Sequence, residues 1–167
     1  MRAIDKYLTW ITYTVIGRDM DAFYKEHKAD IEKVALVLLK KYPPKRVMLY
    51  RGIILSEEES ASEKLEPIEK IQYISFSDRA AIAKEFADIY SDLAFAIRGI
   101  GQKSKGFIIK YLPPLQEIVY HYSWAPIIGV NDACFKIMKE YPLNQNEIIL
   151  KQKMKKFDLM PIEDFKD

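Results

Sequence analysis

The stretch IQYISFSDRAAIAKEFA, residues 71–87, changes its period in the middle. Up to Ser77 the pattern alternates, with Ile74 and Phe76 on one face of a strand and Ser75 and Ser77 on the other. Asp78 can then cap a helix whose apolar side is Ala83, Phe86, Ala87, Tyr90, Ala94 and Ile97. A half-wet strand thus feeds directly into an amphipathic helix.

Upstream the chain is helical in character. Ile4, Leu8, Ile11 and Val15 recur at helical spacing up to Gly17, although β-branched residues weaken that pattern. Phe23, His27, Ile31, Val34, Ala35, Leu38 and Leu39 form one clearer stripe, stopped by Pro43-Pro44. His27 on that stripe reads as a partly buried helix residue. Downstream, strands dominate: RVMLYRGII (46–54), IQYISFS (71–77), GFIIKYL (106–112) and EIVYHY (117–122). NEIILKQ (146–152) and KKFDLMPI (155–162) read as a final strand pair, after a short helix over Asn131 to Tyr141. The glutamate-rich SEEESASEKLEPIEK (56–70) reads as an exposed connection. Helices first and strands later argue for an α+β architecture rather than alternating βαβ units.

Composition sets bounds on function. At 167 residues, with no Pro/Gly/Ser linker, the expectation is one domain, residues 1–44 helical and 45–167 strand-rich. The formal net charge of +2 gives no strong field toward nucleic acid or membrane. A single cysteine, Cys134, forbids an internal disulfide and, with two histidines, leaves no Cys/His zinc site. No run approaches a membrane span, and the N-terminus is a poor signal peptide, so a cytoplasmic protein is expected. Cys134 itself, between apolar neighbours, reads as a buried inert thiol.

Two suggestive motifs fail. GIGQKSKG (99–106) spaces Gly101 and Gly106 like a phosphate loop, but Phe107 stands where lysine is needed, and a strand follows instead of a helix. His121 in VYHYS has no serine or aspartate partner at a recognisable spacing.

One polar constellation holds. Arg51 shares its strand face with Leu49 and Ile53, an unusual place for a guanidinium unless it holds an anion. Ser75 and Ser77 share a face, and so do Gln145 and Glu147 in NQNEIIL (144–150). Each feature alone is ordinary for a half-exposed sheet. Their order is more specific: Arg, then Ser-x-Ser, then Gln-x-Glu, each followed by apolar strand residues.

In this order the chain resembles the ADP-ribosyltransferase family, in its arginine–serine–glutamate class. That family's pattern is an aromatic-Arg-Gly strand, a Ser-Thr-Ser strand, and Glu-x-Glu or Gln-x-Glu opening a late strand. Here these read YRG at Tyr50–Gly52, SFS at Ser75–Ser77 and QNE at Gln145–Glu147, and AIAKEFAD is similar to the helix that follows the serine motif. The resemblance spans about Val47 to Leu159. It implies N-terminal helices packed on a core of two mostly antiparallel sheets. It implies NAD as substrate, with no metal needed because nicotinamide is already a cationic leaving group, with Arg51, Ser75 and Glu147 catalytic, and with Tyr50, Arg51, Gly52, Ser75, Phe76 and Ser77 contributing to the NAD site. Phe76 departs from the pattern, but it faces away from the serines, so its substitution is expected to be tolerated.

The resemblance also implies that Gln145 helps select the acceptor, glutamine at this position accompanying acceptors other than arginine, such as an asparagine or a nucleobase. The partner would then be a protein or nucleic acid, and the source a phage, a toxin or effector, or a cellular modifier. Two alternatives stay open: an NAD glycohydrolase on the same fold, and a non-enzymatic binding or inhibitor protein.

Overall fold

The computed structural model describes residues 1–56, 72–87, 104–129, 146–151 and 157–165. Strands β1 (Leu49–Ser56), β2 (Tyr73–Ser77), β3 (Ser104–Tyr111), β4 (Ile118–His121), β5 (Glu147–Lys151) and β6 (Asp158–Pro161) make one sheet. Its order is β4-β5-β2-β1-β3-β6, and every neighbouring pair is antiparallel. Together with the helices this is an α+β arrangement.

Two expectations change. The described strands form one sheet rather than two, because Tyr50 on β1 pairs with Ser77 on β2 and joins two three-stranded halves. Strands β5 and β6 are not partners. Both edges of β5 are occupied, by β2 and β4, so β6 pairs instead along β3. The expected helix over residues 131–141 and the glutamate-rich connection at 57–70 lie outside the described residues.

The two edges of β1 are unlike. Its ladder with β3 runs over eight residue pairs, from Leu49↔Tyr111 to Ser56↔Ser104. Its ladder with β2 consists of Tyr50↔Ser77 alone. Beyond that pair the sheet parts.

Helices α1 (Ala3–Val15), α2 (Asp21–Glu26) and α3 (Lys28–Lys41) cover the β4-β5-β2 half. Tyr7 Oη donates to the Val119 carbonyl at 2.6 Å, and the rings of Trp10 and Tyr24 pack on Tyr73 of β2. The buried face of α1 is Tyr7, Trp10, Ile11 and Val15, while Ile4 and Leu8 of the expected stripe are only half-buried. The large aromatic rings, rather than the aliphatic spacing, decide which way the helix faces. Gly17 ends α1 with φ of 87°, while Arg18 N–H bonds the Tyr13 carbonyl and Gly17 N–H that of Thr14, the Schellman arrangement. The second stripe is split. Its backbone leaves helical geometry at His27, whose half-buried ring lies 4.5 Å from that of Phe23.

A fourth helix, α4, covers residues 80–87. It lies directly on the other half of the sheet, at Gly52. A Cβ at Gly52 would collide with the Ala83 carbonyl and stand 2.7 Å from the Ala87 nitrogen. Asp78 does not cap this helix. Its carboxylate accepts from Tyr122 Oη at 2.7 Å, while Ser77 Oγ accepts from Arg79 N–H where the chain turns. Among the described residues, no helix is long and apolar enough to cross a membrane.

Candidate functional site at the parting of the sheet

Three polar side chains are buried among the described residues: Ser77, His121 and Glu147. The register gathers them at one end of the sheet, since Ser77 pairs with Glu147 and the next residue, Ile148, pairs with His121. This is also the end at which β1 and β2 make their single pair.

Arg51 follows that pair. Where the ladder stops, the Ser75 carbonyl has no amide of β1 to meet, and Arg51 Nη1 donates to it at 2.7 Å. A guanidinium thus satisfies a backbone acceptor that a continuous sheet would have satisfied. On β2, Ser75 Oγ donates to Glu147 Oε1 at 2.8 Å. Ser75 lies opposite Ile149, so it and Glu147 are diagonal neighbours on one face of the β2–β5 ladder. Arg51, Ser75 and Glu147 are therefore brought together, although 96 positions separate the first from the last.

Glu147 is only 8% exposed. Burial pushes its carboxyl up to about 7, while the Ser75 hydrogen bond and the positive charge of Arg51 pull the other way. A carboxyl of this kind ionises readily when a cation arrives beside it. Its second oxygen, Oε2, is buried without a hydrogen-bond partner among the described residues.

The other expected site residues divide. Tyr50 is half-buried and meets Phe165 edge-on, with ring centroids 6.4 Å apart. The assignment of Phe76 to ligand contact is corrected. It is 3% exposed, belongs to the hydrophobic core and packs near Tyr111, because strand alternation turns it away from Ser75. The Ser77 hydroxyl is engaged by Arg79 N–H, and the open side of Gly52 is filled by α4, so both serve the fold locally. Gln145 lies outside the described residues, as does Cys134. The extended geometry that would put Gln145 and Glu147 on one strand face stops at Glu147. Asn146 has φ of 60°, a left-handed conformation that asparagine tolerates, and β5 begins after it.

Two features were not legible in the sequence. His121 does have partners: Nδ1 accepts from Ser123 N–H at 3.1 Å and lies 2.7 Å from Ser123 Oγ. This caps a short 3-10 turn, Tyr122–Trp124. Burial lowers the His121 pKa, outweighing the nearby Asp78, which suits a neutral accepting ring. The second is Tyr120, fully buried, whose hydroxyl has no partner among the described residues. A shift in register between Ile118 and Tyr120 breaks the period-two pattern, so alternation in EIVYHY misreads which residues face Glu147. Among the described residues no group of three His, Cys, Asp or Glu side chains is placed to hold a metal ion.

Compared with known proteins, the chain matches no family model, no curated protein and no solved structure.

Proposed function

We propose that the chain is a mono-ADP-ribosyltransferase, moving ADP-ribose from NAD to a macromolecular acceptor. The observation that carries this reading is the continuous link from Arg51 through Ser75 to Glu147 at the point where β1 and β2 separate. The sequence resemblance assigns the same three residues, in the same order, to this chemistry.

The residue types suit the reaction. Breaking the bond between nicotinamide and ribose sends the electron pair to the nicotinamide nitrogen, which leaves neutral, and positive charge develops on the ribose. A carboxylate beside that ribose stabilises the charge, which is the role of Glu147. Ser75 orients the carboxylate through Oε1. Arg51 offers a planar fork to the diphosphate, a fit that a point charge does not reproduce. The acceptor nucleophile then bonds to the ribose carbon and releases its proton. A raised Glu147 pKa is compatible with this scheme, because the cationic nicotinamide ring of bound NAD favours the ionised carboxylate. Gln145 is assigned to the acceptor on the resemblance alone.

The test is to incubate the protein with NAD labelled in the adenylate part, with and without a cell lysate, while measuring released nicotinamide. A transferase labels a macromolecule in step with nicotinamide release. Release with no labelled macromolecule would make the protein a glycohydrolase, and no release by folded protein would remove both enzymatic readings.

A further inference from the structure

Buried polar atoms are nearly always hydrogen-bonded, so an orphaned donor and an orphaned acceptor on the same face point to a relationship. Tyr120 Oη and Glu147 Oε2 are such a pair. Both atoms are buried, and neither has a hydrogen-bond partner among the described residues. Tyr120 lies opposite Ile149 across the β4–β5 ladder, two residues along from Glu147, so the two are diagonal neighbours. Side chains as long as tyrosine and glutamate reach across that spacing. The Glu147 charge is also felt at Tyr120, where it adds to burial in raising the phenol pKa.

We infer that Tyr120 is a positioning residue for Glu147, its hydroxyl supplying the hydrogen bond to Oε2 when the carboxylate is ionised, directly or across one water. Ser75 already supplies the bond to Oε1. The pair makes a two-donor cradle, one donor for each oxygen, built from the strands on either side of β5. A protonated Glu147 carries its own donor and has less need of the phenol, whereas the carboxylate is an acceptor only and needs both. Tyr120 therefore acts on the ionised state selectively.

The other groups around Glu147 are committed elsewhere or act by charge. Arg51 on β1 contributes positive charge and holds the Ser75 carbonyl. Tyr7 on α1 lies near Tyr120, but its hydroxyl donates to the Val119 carbonyl. Tyr73 meets Thr14, and Lys151 is 3.6 Å from Glu32 on α3. His121 pairs with Ile148, placing it on the opposite face, and Asp78 accepts from Tyr122. Trp10 Nε1 also lacks a partner, but it sits among the rings of Tyr7, Tyr24 and Tyr73.

The inference concerns the ionisation of Glu147, and only its catalytic consequence rests on the ADP-ribosyl reading. The experiment is a carboxyl NMR titration of protein labelled with 13C-glutamate, the Glu147 signal being assigned by its loss in Glu147→Gln. Tyr120→Phe should raise the Glu147 midpoint by about one pH unit, a tenfold change in its ionisation equilibrium. Replacing Tyr120 with a trifluorotyrosine, a stronger donor, should lower it. The second variant also decides the matter if Tyr120→Phe does not fold. A midpoint that stays put in the folded variants overturns the assignment, because a purely packing role leaves it unmoved. Nicotinamide release from NAD separates the two readings: a shifted midpoint in a protein that releases none sinks the ADP-ribosyl reading and leaves the Tyr120 assignment standing.

Discussion

The two edges of β1 have been put to different uses. Toward β3 it is zipped over eight residue pairs, and α4 is pressed onto Gly52 so closely that no side chain fits between. Toward β2 it makes a single pair and then parts, and the exposed backbone acceptor of Ser75 is taken by Arg51. Adjacent residues of one strand thus belong to opposite regimes. Gly52 closes a seam, and Arg51 occupies one left open. Continuous ladders satisfy the backbone completely and leave nothing to bind with. A parted ladder leaves polar groups that must find other partners, and these are the groups available to a ligand.

Substitutions at the two seams should have different consequences. The largest effect is expected at the open one. Glu147→Gln keeps the shape but removes the charge, and nicotinamide release from NAD should fall about 100- to 1,000-fold. Stability should move the other way. The folded Glu147 pKa of about 7 is raised above its unfolded value, so its favourable contribution is complete at acid pH and is lost as pH rises through about 7. Keeping the ionised carboxylate buried costs on the order of 3 kcal/mol at most. Glu147→Gln should therefore melt higher than wild type at pH 8.5 and close to it at pH 4, as thermal scans at the two pH values would reveal. A lower melting temperature at pH 8.5 would count against the buried carboxyl.

At the closed seam, Gly52→Ala should damage the fold first. The new methyl meets the α4 backbone, which cannot yield as a flexible side chain would. A loss of about 2 kcal/mol is expected from overpacking, which for a chain of this size lowers the melting temperature by roughly 4–8 °C. Arg51→Lys should do the reverse, melting near wild type while binding NAD about tenfold more weakly, since lysine keeps the charge but loses the fork. Calorimetric binding and a melt on the same two variants would show whether the seams are distinct in function. Equal losses of stability and affinity in both would erase the distinction.

The pH profile tests the ionisation of Glu147 directly. For free enzyme and substrate, kcat/KM for nicotinamide release should rise about tenfold per pH unit below a midpoint near 7 and level off above it, as Glu147 ionises. In the NAD complex the cationic ring lowers that midpoint, so kcat should level off at a lower pH. A profile flat across pH 5 to 8 would mean that Glu147 ionisation does not govern the rate.

How much of this could be read in the sequence depended on the range of the interaction. The alternation in YISFS put Ser75 on the opposite face from Phe76, and the structure has Phe76 in the core and the Ser75 hydroxyl on Glu147. That is a local property of an extended backbone. Helix α1 was visible from spacing, and Ile11 and Val15 of its stripe are buried, but the rings of Tyr7 and Trp10 take the places expected for Ile4 and Leu8. Strand order was illegible. Nothing local says that β5 is flanked on both edges, or that β1 pairs with β2 only once. Gly52 read as part of a motif, whereas its tightest constraint is a helix from another part of the chain. Tyr120 was hidden by a one-residue irregularity, which reverses faces and defeats period-two reasoning.

Where NAD binds can be seen in a crystal structure of Glu147→Gln grown with NAD, since the variant should bind substrate without consuming it. The diphosphate should lie at the Arg51 guanidinium and the nicotinamide ribose within hydrogen-bond reach of residue 147 and Ser75, in the parting between β1 and β2. NAD bound elsewhere, with Arg51 still on the Ser75 carbonyl and residue 147 out of contact with it, would contradict the account.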